Sequence, residues 1–205
     1  DTRVFAYQPD VEQNHGVFKI LCPRRMPDTL SEHWDGRGAM LLLKALGELQ
    51  RLNFPFLAEF AGSGEAKRDV MAYARQHGFG EKVICTQYEL HEISEAYSRA
   101  DIVVIPTASH EGTSLAAVEA MCCGCATVVT HVGGLPNLVV DELNGFMSDL
   151  SPRTLAETII RASKFCRDTQ WRKASADFSG RAFGKKVWES KLWNSLSVFL
   201  GERVV

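Results

Sequence analysis

The chain has 205 residues, 45% of them hydrophobic and 23% charged, with 23 basic and 25 acidic side chains and a formal net charge of −2. That is enough apolar material for one large domain, and the pattern argues against intrinsic disorder. The balance also argues against a nucleic-acid binder, whose phosphate contacts need a basic excess, and no run nears the roughly 20 apolar residues of a membrane-spanning helix.

The first 18 residues carry Pro9 and Gly16 among polar residues without a period, and read as a lead-in. No basic stretch followed by an apolar one opens the chain. It begins at Asp1 without an initiator Met, which leaves a cleaved leader and an excised piece both open. Lys19–Cys22 is a short apolar run closed by Pro23, a predicted strand. Gly38–Leu52 spaces Met40, Leu43, Leu46 and Leu49 as a helix does. Phe56–Ala61 predicts a strand ending at Gly62-Ser63-Gly64, and Ala66–His77 a polar-faced helix stopped by Gly78. Val83–Cys85 follows as a short strand and Ile93–Arg99 as a short helix. Ile102–Ile105 is a β-branched run suited to a strand buried on both faces of a parallel sheet. Thr113–Cys123 predicts a helix stopped by Gly124, Ala126–Thr130 another buried strand, and Leu155–Cys166 and Val187–Leu200 two further helices. Trp171, Trp188 and Trp193 are expected to pack these C-terminal helices.

Such alternation predicts an α/β fold, a doubly wound, Rossmann-like parallel sheet. Ligands of such sheets bind at the carboxyl ends of the strands. The six cysteines include a Cys122–Cys125 pair at a C-x2-C spacing, but it continues an apolar helical pattern and lacks a second pair. They read as buried or half-buried thiols in a reduced, cytosolic setting, with no metal site.

Function concentrates in Ser109-His110-Glu111-Gly112-Thr113-Ser114-Leu115-Ala116-Ala117-Val118-Glu119. A glycine loop opening a helix presents unpaired backbone N–H groups beside the positive end of the helix dipole, an anion site. Glu111 and Glu119, eight residues apart, predict two carboxylates along one face, able to accept hydrogen bonds from hydroxyls at two points of a long ligand. The residues alone equally fit a helix whose Glu111 complements the dipole and whose Glu119 is solvated. His110 has a catalytic reading beside Glu111 and a plain hydrogen-bonding one. Gly133-Gly134 is either a close-approach turn near the ligand or an ordinary strand–helix turn. Tyr88 flanks a ligand's base or simply packs.

The run "EGTSLAAVEAMCCGCATVVTHVGGLPNLVVDELNGF" resembles the signature of retaining family 4 glycosyltransferases (glycosyl transferases group 1) of the GT-B fold. "DTRVF" resembles the end of the linker joining the two GT-B domains, and "CPRRM" followed by "GRG" the first strand's arginine and a later basic residue–glycine pair. "AGSGEAKRDV" is similar to the glycine turn after the second strand, with Gly64, and "YSRADIVVIPT" to the approach to the signature. These stretches cover most of residues 1–165. The resemblance implies a C-terminal, donor-binding half: an interdomain linker over 1–18, a nucleotide-sugar-binding domain over 19–180 and a C-terminal helix over 181–205. It implies that Glu111, the catalytic candidate, meets hydroxyls of the donor sugar and Glu119 the ribose. His110 and Gly112 lie in the same loop, and the backbone amides of Thr113, Ser114 and Leu115 hold the diphosphate or sugar. Arg25 and Arg37 match the two basic residues that neutralise the diphosphate. The second is usually Lys, a point charge where Arg is a planar fork; the stretch between Arg25 and Arg37 is long, so Arg24 competes for the first role. Thr113-Ser114 replaces the usual aromatic–glycine.

The expected function is therefore transfer of a glycosyl group, with retention, from a nucleotide-diphospho-sugar of unknown base to an acceptor held by an N-terminal domain absent here. No metal or other cofactor is expected. The protein would be cytoplasmic, peripheral to a membrane where the acceptor lies at its surface. The chain alone is expected to bind nucleoside diphosphate without transfer. A GT-B-shaped nucleotide-sugar epimerase and a non-catalytic binding module stay open. A dehydrogenase would need G-x-G-x-x-G after the first strand, where Cys22-Pro23-Arg24-Arg25 stands. A hydrolase is tempting because Gly112-Thr113-Ser114-Leu115-Ala116 nearly forms a nucleophile elbow. Only His131 follows Ser114, however, and Glu119, the one acid between, lies in the same helix.

Overall fold

The computed structural model describes residues 1–9, 16–26, 30, 36–89 and 91–200. In chain order they form β1 (Phe18–Cys22), α1 (Ala39–Arg51), β2 (Phe56–Ala61), α2 (Lys67–Gln76), β3 (Val83–Thr86), α3 (Ile93–Arg99), β4 (Ile102–Ile105), α4 (Leu115–Cys122), β5 (Ala126–Thr130), β6 (Phe146–Ser148), α5 (Pro152–Ala162), α6 (Thr169–Phe183) and α7 (Lys185–Leu200). The six strands pair in parallel in the order β3-β2-β1-β4-β5-β6. This is the Rossmann-like, doubly wound arrangement, and its order reverses between β1 and β4. The crevice above that point, at the carboxyl ends of the two strands, is where such sheets take ligands.

Alternation along each strand feeds two apolar layers. Ile20, Cys22, Ala58, Phe60, Ile102, Val104 and Val128 face one core with α1, α2 and α5; Leu21, Ala61, Val103, Ile105 and Val129 face another with α3 and α4. All four residues of β4 are buried, as a strand covered on both sides requires. Helix α1 commits Ala39, Leu42, Leu43, Leu46 and Leu49 to the core at three- and four-residue steps. Truncating one such leucine to alanine costs about 2–5 kcal/mol.

The lead-in is packed rather than loose where it is described. Phe5 is buried against the Tyr97 ring, with centroids 6.0 Å apart. Arg172 of α6 lies 5.4 Å from the Tyr7 ring and donates from Nε to the carbonyl of Gly124.

Four expectations change. The helix predicted over Thr113–Cys123 begins only at Leu115, where Ser114 caps it by accepting from the N–H of Ala117. That predicted over Leu155–Cys166 starts three residues earlier, with Ser151 as its cap and Pro152 in the first turn, and ends at Ala162. Strand β6 and helix α6 were not predicted. Of the tryptophans, Trp171 packs on Phe146 and Phe165 and donates to the carbonyl of Glu142 at 2.6 Å, but Trp188 and Trp193 are 61% and 66% exposed. They ride on α7, whose apolar stripe of Trp188, Leu192, Leu196 and Phe199 faces outward.

Candidate functional site

Strand β4 delivers the chain into the crevice through buried Pro106 and Thr107, and α4 takes it away from Leu115. Between them Ala108, Ser109, His110, Gly112 and Thr113 are exposed, Glu111 is half-buried and Ser114 is buried. The α4 amides that precede any intrahelical acceptor open here, at the positive end of the helix. The side chain of Leu115 is 71% exposed beside them.

Glu111 is held on one oxygen. Its Oε2 accepts from a guanidinium nitrogen of Arg24 at 2.6 Å and from Oγ1 of Thr107 at 3.1 Å. Thr130, the last residue of β5, donates in turn to the Thr107 carbonyl. Two strand ends thus orient one carboxylate, and among the described residues no protein group bonds its Oε1.

Arg24 is buried, at 8% exposure, and reaches Oγ of Ser114 at 3.4 Å as well as Glu111. Among the described residues its buried Nε has no partner, a donor whose desolvation costs about 1–3 kcal/mol unless something accepts from it. Breaking a buried ion pair is costly, yet forming one adds little net stability. The arrangement therefore makes more sense as positioning than as a staple. Arg25, the next residue, is exposed. Both lie in the loop just past β1, and it is Arg24 that reaches Glu111 and Ser114.

Arg37 is exposed at the start of α1, next to the same loop. The contact there is backbone on backbone: the N–H of Ala108 donates to the Gly36 carbonyl, and a Cβ on Gly38 would lie 1.6 Å from the Pro106 carbonyl oxygen. Gly38 also caps α1 with φ of 79°, a left-handed conformation that favours glycine. Gly133-Gly134, after β5, braces the loop from the other side. The N–H of Gly134 donates to the Glu111 carbonyl at 2.9 Å, and a Cβ on Gly133 would come within 2.1 Å of that oxygen. The pair is a close-approach turn, and what it approaches is the Glu111 backbone. Gly64 does the same for the loop after β1, seated against the Met26 carbonyl.

Glu119 lies on α4 between that helix and α3, half-buried, with Tyr97 donating to its Oε2 at 3.2 Å. Burial pushes its carboxyl up, while the hydrogen bond from Tyr97 pulls it down. Because Glu111 precedes the helix by four residues, the two carboxylates are not related by helical turns as their spacing suggests. Glu111 is placed by the sheet and Glu119 by the helix.

Tyr88 is not gathered into this cluster. Its hydroxyl donates to Glu59, and burial, then Glu59, pushes the phenol up to about 12. With Leu57, Ile84 and Arg99 it lines a cavity of about 290 Å³ on the open face of the sheet. His110 is exposed in the loop. Cys22, Cys122, Cys123, Cys125 and Cys166 are buried and Cys85 half-buried, all as free thiols. Burial pushes Cys122 up to about 11, and Cys125 and Cys166 to about 12, which makes them poor nucleophiles. Thr107, Thr130 and Tyr97 are the site's supports that sequence reasoning missed. Arg24 it had weighed, but behind Arg25.

Residues 35–173, more than half of the chain, match the family model described as glycosyl transferases group 1. The chain belongs to that family. A D-inositol 3-phosphate glycosyltransferase of Segniliparus rotundus is 32% identical over 118 residues, which are 55% of this chain and 26% of that protein. Among solved structures, Anabaena HepE in complex with UDP superposes with a TM-score of 0.74 at 18% identity, covering 89% of this chain and 49% of that one; the same protein is also solved in complex with UDP-glucose. The C-terminal domain of a group 1 glycosyl transferase (LpcC) from Francisella tularensis gives a TM-score of 0.67 at 22% identity, covering 87% and 93%. The chain thus spans about a quarter of the curated relative and half of the HepE chain, and nearly all of the isolated domain.

Proposed function

We propose that this chain is the donor-binding half of a glycosyltransferase, gripping a nucleoside-diphospho-sugar across the carboxyl ends of β1 and β4. Residues 19–180 would form the binding domain, with 1–18 leading in from an N-terminal, acceptor-binding domain. Oε1 of Glu111 meets hydroxyls of the donor sugar, and Glu119 meets the ribose. The amides of Thr113, Ser114 and Leu115 at the head of α4 take the diphosphate, along with the guanidinium groups of Arg24 and Arg37 and with Arg25 at the rim. The reading is supported above all by the buried Arg24–Glu111 pair, whose guanidinium Nε has no partner among the described residues and lies at the positive end of a helix. UDP and UDP-glucose in the HepE complexes favour a nucleotide of this class.

The chemistry follows from the charge that develops. As the glycosidic bond to the diphosphate breaks, negative charge grows on the leaving phosphate oxygens. Fixed guanidinium and amide donors hold that charge more strongly in the transition state than in the ground state. The glycosyl group then passes, with retention, to an acceptor on the partner domain, with no metal needed. We place the protein in a reduced compartment, the cytoplasm, which suits six free thiols.

The test is a thermal-shift screen of UDP, GDP, ADP and their sugars against the chain. A ligand at a hundred times its dissociation constant stabilises the fold by about 2.7 kcal/mol, and one nucleotide series should raise the melting temperature. No shift from any of them would sink the reading. With the full-length protein, a new glycoside marks a transferase and an isomerised sugar an epimerase.

A further inference from the structure

Glu119 is not a freely rotating surface carboxylate. Tyr97, on the neighbouring helix α3, donates from its hydroxyl to Oε2 at 3.2 Å, while among the described residues no protein group bonds Oε1. The tyrosine is itself fixed. Its residue is 1% exposed, its ring meets Phe5 edge-on, and its carbonyl accepts from the Cys125 thiol at 3.0 Å, just past the end of α4. Burial, followed by the nearby Glu119 charge, pushes the phenol well above its ordinary value, so it keeps its proton and acts as the donor.

We propose that Tyr97 is a positioning residue that sets the rotation of the Glu119 carboxylate and turns Oε1 toward the ligand's ribose diol, so that it governs the preference for ribose over deoxyribose. The proposal deepens the reading of Glu119 given above and rests on it. Without the phenol the carboxylate loses the hydrogen bond that holds its Oε2, and a charge-assisted hydrogen bond to a vicinal diol depends on a carboxylate held in place. A group of this kind changes selectivity rather than overall grip, which is how it differs from a residue that only packs α3 against α4.

The experiment measures dissociation constants of UDP and 2′,3′-dideoxy-UDP by titration calorimetry for wild type and Tyr97→Phe, with the GDP and ADP pairs in parallel. Wild type should favour the ribonucleotide about tenfold or more, the worth of one charged hydrogen bond. Tyr97→Phe keeps the ring and the packing; it should weaken UDP about five- to tenfold and leave the dideoxy nucleotide unchanged, so that the preference falls by the same factor. Equal weakening of both would make Tyr97 a structural residue and overturn the proposal, as would an unaltered preference. Wild type binding both forms equally would remove Glu119 from the ribose. Wild type binding no nucleotide at all would sink the proposed function first, and this with it. Should Tyr97→Phe fail to fold, Tyr97→Met, which also removes the hydroxyl while filling the buried position, must lose the same preference.

Discussion

At the scale of single residues, the site is a matter of which oxygen is already taken. Oε2 of Glu111 is shared by Arg24 and Thr107, and Oε2 of Glu119 is taken by Tyr97. Replacing Arg24 by Met leaves a carboxylate that is only 15% exposed without its counter-charge, at a cost of about 3 kcal/mol. Arg24→Met should therefore melt several degrees lower. The double variant Arg24→Met/Glu111→Leu should recover most of that loss while binding no better, and differential scanning calorimetry with a nucleotide titration reads both. For Glu119 the sign is different. Its carboxyl is raised above the free value of 4.5 by burial, so its stabilising contribution is complete below that value and fades as the pH climbs through the folded one. Glu119→Gln removes the titration. Without nucleotide, the melting temperature of Glu119→Gln relative to wild type should rise as the pH climbs above 4.5; a flat difference would contradict the burial. Neither Thr107 nor Tyr97 could be found from the sequence, because their roles come from contacts that chain spacing does not encode. The choice between Arg24 and Arg25 was equally hidden, since it turns on how one residue leaves β1.

At the scale of elements, loops are locked together by glycines that let backbone touch backbone. Gly38 and Gly78 make a controlled pair, with φ of 79° and 78°, but a Cβ on Gly38 would strike the Pro106 carbonyl whereas one on Gly78 meets nothing within 4 Å. Gly78→Ala should cost only the left-handed strain, about 1–2 kcal/mol. Gly38→Ala should cost clearly more and weaken nucleotide binding too, because it pushes the β4 loop away from α1. Equal denaturation midpoints for the two variants would refute that. Most elements were legible where burial imposes a period. Ile102–Ile105 and Ala126–Thr130 show as β-branched or apolar runs because both sides of the sheet are covered, and α1 shows through its leucines. Strand β6 is three residues at the sheet's edge, too short to display alternation. Helix α6 buries Arg172, Ser175, Ala176 and Ser179, small or polar residues that leave no apolar rhythm. The start of α4 was misjudged because Thr113 and Ser114 suit a cap as well as a first turn, and Ser114 is the cap.

At the scale of the molecule, the sheet order puts Arg24, from the end of β1, and Glu111, from the loop after β4, on either side of the point where the winding reverses. That placement was implied by strand–helix alternation and by the family signature; the pairing itself was not. The outward stripe of α7 was missed, since an amphipathic spacing reads the same whether or not a partner covers it. If the acceptor is bound elsewhere, these 205 residues should take up a nucleoside diphosphate and yet produce no glycoside with any donor; turnover by the chain alone would contradict the division of labour. The most direct measurement is a calorimetric titration of the chain with UDP, GDP and ADP, set beside the Arg24→Met/Glu111→Leu double variant. The prediction is one-to-one, saturable binding of one nucleotide by the wild type, weakened at least tenfold in the folded variant. Binding that survives the double substitution unchanged would mean that the grip lies somewhere other than the crevice between β1 and β4.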